Sequence, residues 1–203
     1  MKKSHFDHKY DSKKRFCSYW HQIDEVLRID HGSILEIGVG SGFVSNYLRN
    51  KGVSVITLDI AKDLKPDIVA SVTDIPFADE SFDTIICFEV LEHVLYDDFI
   101  KALSELFRIS KSHVIISLPE YTGNVCRLDI SIPRMIYIKR LIDLSFFKSP
   151  VHKFDGQHYW EIGKRGYLLK KVIQDIERAG FEIKRTYRVF EVPYHRFFLL
   201  SKT

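Results

Sequence analysis

Cysteine is scarce in this chain: Cys17, Cys87 and Cys126 are scattered, with no C-x-x-C spacing. That excludes a disulfide framework and fits a reducing compartment. Cys87 sits inside an apolar run and reads as a buried thiol. No apolar run approaches the roughly 20 residues that cross a bilayer. An excess of one charge is also missing, because 30 Lys and Arg against 27 Asp and Glu leave a net charge of +3. A strong nucleic-acid binder would carry a concentrated basic face, so no nucleic-acid partner is expected. The Gly-Lys-Ser/Thr of a phosphate-binding P-loop is absent. So are internal repeats and low-complexity segments. The basic start, "MKKSHFDHKYDSKKRF", has no apolar stretch behind it, so it does not read as a secretory signal, and the expected address is cytoplasmic.

What is present is ordinary for one globular domain: 203 residues, 45% hydrophobic and 28% charged. From Ser33 onward, strand-length apolar runs alternate with helical segments. "SILEIG", "VSVITLD", "DIVAS", "FDTIICFEV" and "HVIISLP" read as five strands. Runs this apolar suit strands covered on both faces of a parallel sheet. Helices are expected over 43–50, 97–109 and 166–179. "FEIKRTYRVF" and "HRFFLLSK" then form a closely joined strand pair, which must be antiparallel because a parallel return needs a longer crossover. Residues 1–31 read as a helical lead-in around Trp20–Ile29, and 120–163 as a long insertion after the fifth strand, all within a single 1–203 domain. Insertions this long are usually functional or disordered, and this one is too apolar for a plain linker.

The stretch "SILEIGVGSGFVS" sets Gly38, Gly40 and Gly42 between the first strand and a helix, where α/β sheets hold ligands. The dinucleotide fingerprint G-x-G-x-x-G would need a glycine where Phe43 stands. Three acids surround this turn: Glu36 before it, Asp59 closing the second strand, and Asp74 in "VTDIPF". Such a ring repels a pyrophosphate and suits a cationic nucleoside bearing an ammonium group, S-adenosylmethionine.

Together "ILEIGVGSGFVS", "LD", "VTDIPFADESFDTIICFEVLEHV" and "ISLPE" resemble the class I S-adenosylmethionine-dependent methyltransferases, in the broad group that includes ubiquinone-biosynthesis O-methyltransferases. The resemblance implies an α/β, Rossmann-like, doubly wound sheet of seven strands, mostly parallel, with one antiparallel strand near the C-terminus. It implies that Glu36 and the backbone of Gly38, Gly40 and Gly42 hold the methionyl end of the cofactor. Asp59 and Ile60 would meet the ribose, and Asp74 and the Ile75 amide the adenine. Phe88 and Glu89 would face the methyl sulfonium.

Within "EVLEH", a helical turn would put Glu89, Glu92 and His93 on one face. Two carboxylates and an imidazole suit a divalent cation, and some relatives use similar residues in that way. In others Glu89 lines the cofactor pocket without metal. A hydroxyl acceptor also needs a base, for which His93 leads, beside Glu89, with His152 and His158 behind. In "HKFDGQHYWEIG", His158, Tyr159 and Trp160 are candidates to line a small-molecule acceptor pocket; the competing reading is that Tyr159 and Trp160 only pin the insertion to the core. The basic apolar stretch 127–147 is expected to form a helix starting at Pro133, serving as a lid, a dimer face or a membrane-surface segment. The leading reading is methyl transfer to a small molecule, at oxygen before carbon or nitrogen. The competing readings are an NAD-dependent oxidoreductase and a non-catalytic cofactor-binding protein.

Overall fold

The computed structural model describes residues 12–123, 125–144 and 149–202. Strands β1 (Ile34–Ile37), β2 (Val55–Asp59), β3 (Ile68–Val69), β4 (Phe82–Phe88) and β5 (Ser110–Pro119) run parallel, interleaved with helices α1 (Lys13–Leu27), α2 (Phe43–Asn50) and α3 (Tyr96–Ile109). After β5 come a hairpin, β6 (Val125–Ile132) and β7 (Ile136–Asp143), then α4 (Leu169–Arg178), β8 (Phe181–Arg188) and β9 (His195–Lys202). The main sheet has seven strands in the order β3-β2-β1-β4-β5-β9-β8. Only β9 is reversed, pairing antiparallel with both β5 and β8.

Alternation along the strands explains why both faces are covered. Leu35, Ile37, Ile85, Cys87 and Ile116 point to one side, packed with Phe99 and Leu103 of α3 and Val172 and Ile176 of α4. Ile34, Ile86, Ile115 and Phe197 point to the other, packed with Ile23 and Val26 of α1 and Val44 and Leu48 of α2. A sheet apolar on both faces is stable only between two helix layers, hence the near-continuous Ile and Val runs. From β1 the chain winds outward through β2 and β3, then returns to place β4 on β1's other side. That reversal opens a crevice beyond the carboxyl ends of β1 and β4, where ligands bind in such sheets.

Two expectations about local structure are corrected. Residues 125–143 are a β-hairpin rather than a helix: Pro133 lies in the turn, followed by Arg134 at φ +61°. The apolar residues there recur every second position, a strand period. The lead-in helix begins earlier than expected, at Lys13, where the Ser12 side chain accepts the Arg15 N–H and satisfies an otherwise orphan donor. Residues 1–11 of the lead-in, and 124 and 145–148 of the insertion, lie outside the described residues. Among the described residues, no helix is long and apolar enough to cross a membrane.

Candidate functional site

A cleft of about 860 Å³ occupies the crevice. Its floor is the glycine turn. Gly38 has φ +85°, and a Cβ there would come within 2.2 Å of Val90 Cγ2, so only glycine fits against the segment after β4. Gly40, at φ +54°, has nothing within 4 Å of its would-be Cβ, which leaves that backbone open for a ligand to approach. Asp59 ties the floor down: its Oδ2 accepts the Val39 N–H at 2.9 Å and its Oδ1 the Ala61 N–H at 2.8 Å.

The acids of the cleft are short of partners. Glu36 shares its strand face with Ile34, toward α2, and is buried; its Oε2 has no hydrogen-bond partner among the described residues. Burial pushes its carboxyl up to about 7, against the pull of the Ser45 hydroxyl and Arg49. Both oxygens of buried Glu92 and Oε1 of Glu89 are likewise unpartnered among the described residues. Burial and then the neighbouring Glu89 raise Glu92 well above the usual carboxylate range. Glu89 adopts φ +54°, an uncommon backbone for a residue with a Cβ, right where β4 ends. Three carboxyl groups with oxygens left without a hydrogen bond round one cavity favour a cationic occupant that can donate to them.

The expected helical face is not what unites Glu89, Glu92 and His93. Glu89 precedes the short 3-10 turn Leu91–His93. Instead Glu92, His93 and His158 come together, with one ligand atom of each inside a 4.8 Å span. His93 Nδ1 lies 3.1 Å from the Gln157 carbonyl. A carbonyl only accepts, so Nδ1 donates there, and in the neutral ring the lone pair falls on Nε2, 3.9 Å from Glu92 Oε1. Burial, helped by His93, lowers the His158 pKa. His152 is turned to structural use, donating from Nε2 to the His158 carbonyl at 2.9 Å.

The other expected residues divide. Phe88, Ile60 and Tyr159 line the cleft, Tyr159 against the Phe154 ring. Trp160 does not. It is 0% exposed, packed on Phe99 and Tyr96, with its indole N–H donated to the Leu91 carbonyl. It therefore fastens the insertion to the core rather than lining this cleft. Asp74 and Ile75 also fail to reach the cleft, where Ala70, Ser71 and Val72 stand instead. Asp74 is exposed beyond a bridge to Ser71, and the Ile75 N–H is already donated to Glu105.

Several cleft residues had no place in the sequence reading. Arg15, Tyr19 and Gln22 of α1 form one wall, and Tyr194 and His195 another. Ser18 Oγ lies 2.8 Å from His195 Nδ1, and His195 Nε2 is 3.6 Å from Glu89 Oε2. The signal for His195 was topological. A reversed β9 must start at the edge where the parallel strands end, and His195 indeed pairs with Pro119 at the end of β5.

Comparison with known proteins agrees with this fold. Residues 35–118 match the family described as "Methyltransferase domain". A demethylmenaquinone methyltransferase of Renibacterium salmoninarum is 30% identical over 99 residues, 44% of this chain and 41% of that protein. A ubiquinone/menaquinone biosynthesis C-methyltransferase of Geotalea daltonii is 26% identical over 166 residues, 69% of this chain and 66% of that one. The chain thus spans less than two thirds of the length of these relatives. Among solved structures, a 1,6-didemethyltoxoflavin N1-methyltransferase of Burkholderia thailandensis, bound to its acceptor and S-adenosylhomocysteine, superposes with TM-score 0.63 at 14% identity, over 97% of this chain and 81% of its own.

Proposed function

We propose that residues 35–118, which match the methyltransferase domain, form the core of a class I S-adenosylmethionine-dependent methyltransferase, and that the chain binds S-adenosylmethionine and moves its methyl group to an oxygen of a small molecule. The observation that carries the reading is the set of carboxyl oxygens on Glu36, Glu89 and Glu92 that have no hydrogen-bond partner among the described residues, round the open Gly40 backbone. They suit a ligand with an ammonium at one end and a sulfonium beside the acceptor. A dinucleotide would bring two phosphates against them, which argues against the oxidoreductase.

On this reading Glu36 takes the ligand's ammonium and Asp59 its ribose hydroxyls. The adenine lies by Ser71 and Val72, and Phe88 and Glu89 flank the methyl sulfonium. The acceptor enters between Tyr159 and Tyr194. Its oxygen attacks the methyl carbon in line with the departing sulfur; the C–S bond breaks and the sulfur leaves as a neutral thioether. The protein's task is to hold the two partners close and aligned. His93 Nε2, with its lone pair free, takes the hydroxyl proton.

The orphaned oxygens of Glu92 and the imidazoles of His93 and His158 also fit a divalent cation with mixed nitrogen and oxygen preference. Bound there, it would occupy the His93 lone pair and polarise the acceptor oxygen in place of the base. A calorimetric titration with S-adenosylmethionine, S-adenosylhomocysteine and NAD tests the main reading. The two sulfur nucleosides are expected to bind and NAD is not. Binding of NAD alone, or of none of the three, overturns it.

A further inference from the structure

The β6–β7 hairpin is built differently from the rest of the molecule. Its register pairs Cys126 with Ile142, Leu128 with Arg140, Ile130 with Ile138 and Ile132 with Ile136. Side chains alternate along a strand, so these eight residues share one face. The five isoleucines among them are each 38–44% exposed. At the turn the exposure climbs further, to 78% for Met135. An apolar face this continuous is rare on a protein surface unless something covers it.

Charge on the hairpin is sorted by side. Its two acids, Asp129 and Asp143, lie on the opposite face, paired in register with Lys139 and Val125. That face turns toward the body of the protein. Lys139 pairs with Glu191 and sits over the Phe190 ring, and Arg127 donates to the Glu191 carbonyl. The apolar face has Arg140 within it and Arg134 at its turn, and no carboxylate. A second copy laid against it would set cations against cations. An acidic helix would seek a groove, and this face is a two-stranded ribbon. An anionic bilayer offers both halves of the complement: acyl chains for the isoleucines and phosphates for the arginines, whose long stems reach past apolar neighbours.

We propose that the β6–β7 hairpin docks the protein on an anionic lipid surface, with Ile130, Ile132, Met135, Ile136 and Ile138 entering the boundary between headgroups and acyl chains while Arg134 and Arg140 meet lipid phosphates. The hairpin follows the carboxyl end of β5, the end of the parallel strands at which the cleft lies. The proposal does not depend on the methyl-transfer reading.

Co-sedimentation of the full chain with vesicles tests it, comparing phosphatidylcholine alone with phosphatidylcholine containing phosphatidylglycerol, at low and at physiological salt. The protein is expected to pellet with the anionic vesicles and much less with the neutral ones. Ile132→Ser with Ile136→Ser should lower partitioning by about tenfold or more. Arg134→Gln and Arg140→Gln should each lower it roughly fivefold, an effect that fades as salt rises. Thermal unfolding and cofactor titration should match the unsubstituted protein in both sets, since none of these residues lines the cleft. The proposal is wrong if nothing pellets at low salt, or if pelleting is indifferent to both sets of substitutions. It is equally wrong if sedimentation equilibrium shows a dimer that the serine pair dissolves while vesicles go unbound. Failure to bind any sulfur nucleoside, with vesicle binding intact, would strike the proposed function and leave this inference standing.

Discussion

Replacing Glu36 with glutamine should stabilise the empty protein at neutral pH while weakening its hold on S-adenosylmethionine. Burial raises the Glu36 carboxyl from its ordinary 4.5 to about 7. Between those two values the folded chain keeps a proton that the unfolded chain has released. The folded state therefore binds more protons, and stability falls as pH rises through that window. At 1.36 kcal/mol per unit, the shift amounts to about 3 kcal/mol, felt in full above pH 7. Glutamine keeps the shape and removes the ionisation. Urea denaturation should find the variant's advantage below about 1 kcal/mol at pH 5 and about 3 kcal/mol at pH 8. The ligand's ammonium reverses the preference, because it favours the ionised carboxylate. Binding to the unsubstituted protein should thus expel a proton near pH 6, visible as a dependence of the calorimetric heat on buffer. Affinity should rise about tenfold per pH unit below 7 and then level off. In the variant that pH dependence disappears and affinity falls about ten- to hundredfold, the loss of a charge-assisted hydrogen bond. A stability difference that is flat from pH 5 to 8, or cofactor affinity in the unsubstituted protein indifferent to pH across 7, refutes the reasoning.

Asp59→Ala frees the Val39 and Ala61 amides as well as removing the acceptor for ribose hydroxyls, so calorimetry should record a loss of about 1–3 kcal/mol in cofactor binding. Trp160→Ala empties a fully buried site and orphans the Leu91 carbonyl; thermal unfolding should show a loss of about 3–5 kcal/mol. Trp160→Phe should instead keep turnover per folded molecule, as befits a residue outside the acceptor pocket. Chelator-treated protein titrated with Mn²⁺ or Zn²⁺ should bind one ion, and Glu92→Gln and His158→Gln should each weaken that binding at least about tenfold. If no ion binds and methyl transfer survives thorough chelation, the metal has no part in the site.

The frame was readable because its signals are local and redundant. Ile and Val runs separated by helix-length segments specify strands covered on both faces, and the short link before His195 forces β9 to run backwards. The glycine turn was readable for a similar reason, since no other residue fits against Val90 at Gly38. The failures share one cause: a residue's type does not reveal which way it points. Asp74 looked like a ligand acid, but one short bridge beyond Ser71 turns it to solvent. Trp160 and its neighbour Tyr159 are both large aromatics, yet one fills the core and the other the cleft rim. Pocket and core are apolar alike, so composition cannot separate them. The hairpin was a different kind of miss. Leu128, Ile130 and Ile132, then Ile136 and Ile138, alternate strictly on either side of Pro133, and that period outweighs a proline that would also suit the start of a helix.

What the sequence could not supply was the partnership between distant segments that closes the cleft. Tyr159 donates its N–H to the Glu92 carbonyl and Trp160 its indole N–H to the Leu91 carbonyl, so the insertion is fastened to the turn that bears Glu92 and His93. On the opposite wall, Ser18 of α1 meets His195 of β9, a contact spanning 177 positions. The chemistry of the site therefore depends on two peripheral segments being seated together. The glycine turn and Asp59 stand on the sheet and need neither. This division predicts separable failures. Loosening the insertion, as in Trp160→Ala, should impair methyl transfer through the acceptor side and leave cofactor affinity within about twofold, since contacts far apart with no shared partners contribute independently. A parallel collapse of cofactor binding in folded Trp160→Ala protein would mean that the two halves of the cleft are one cooperative unit.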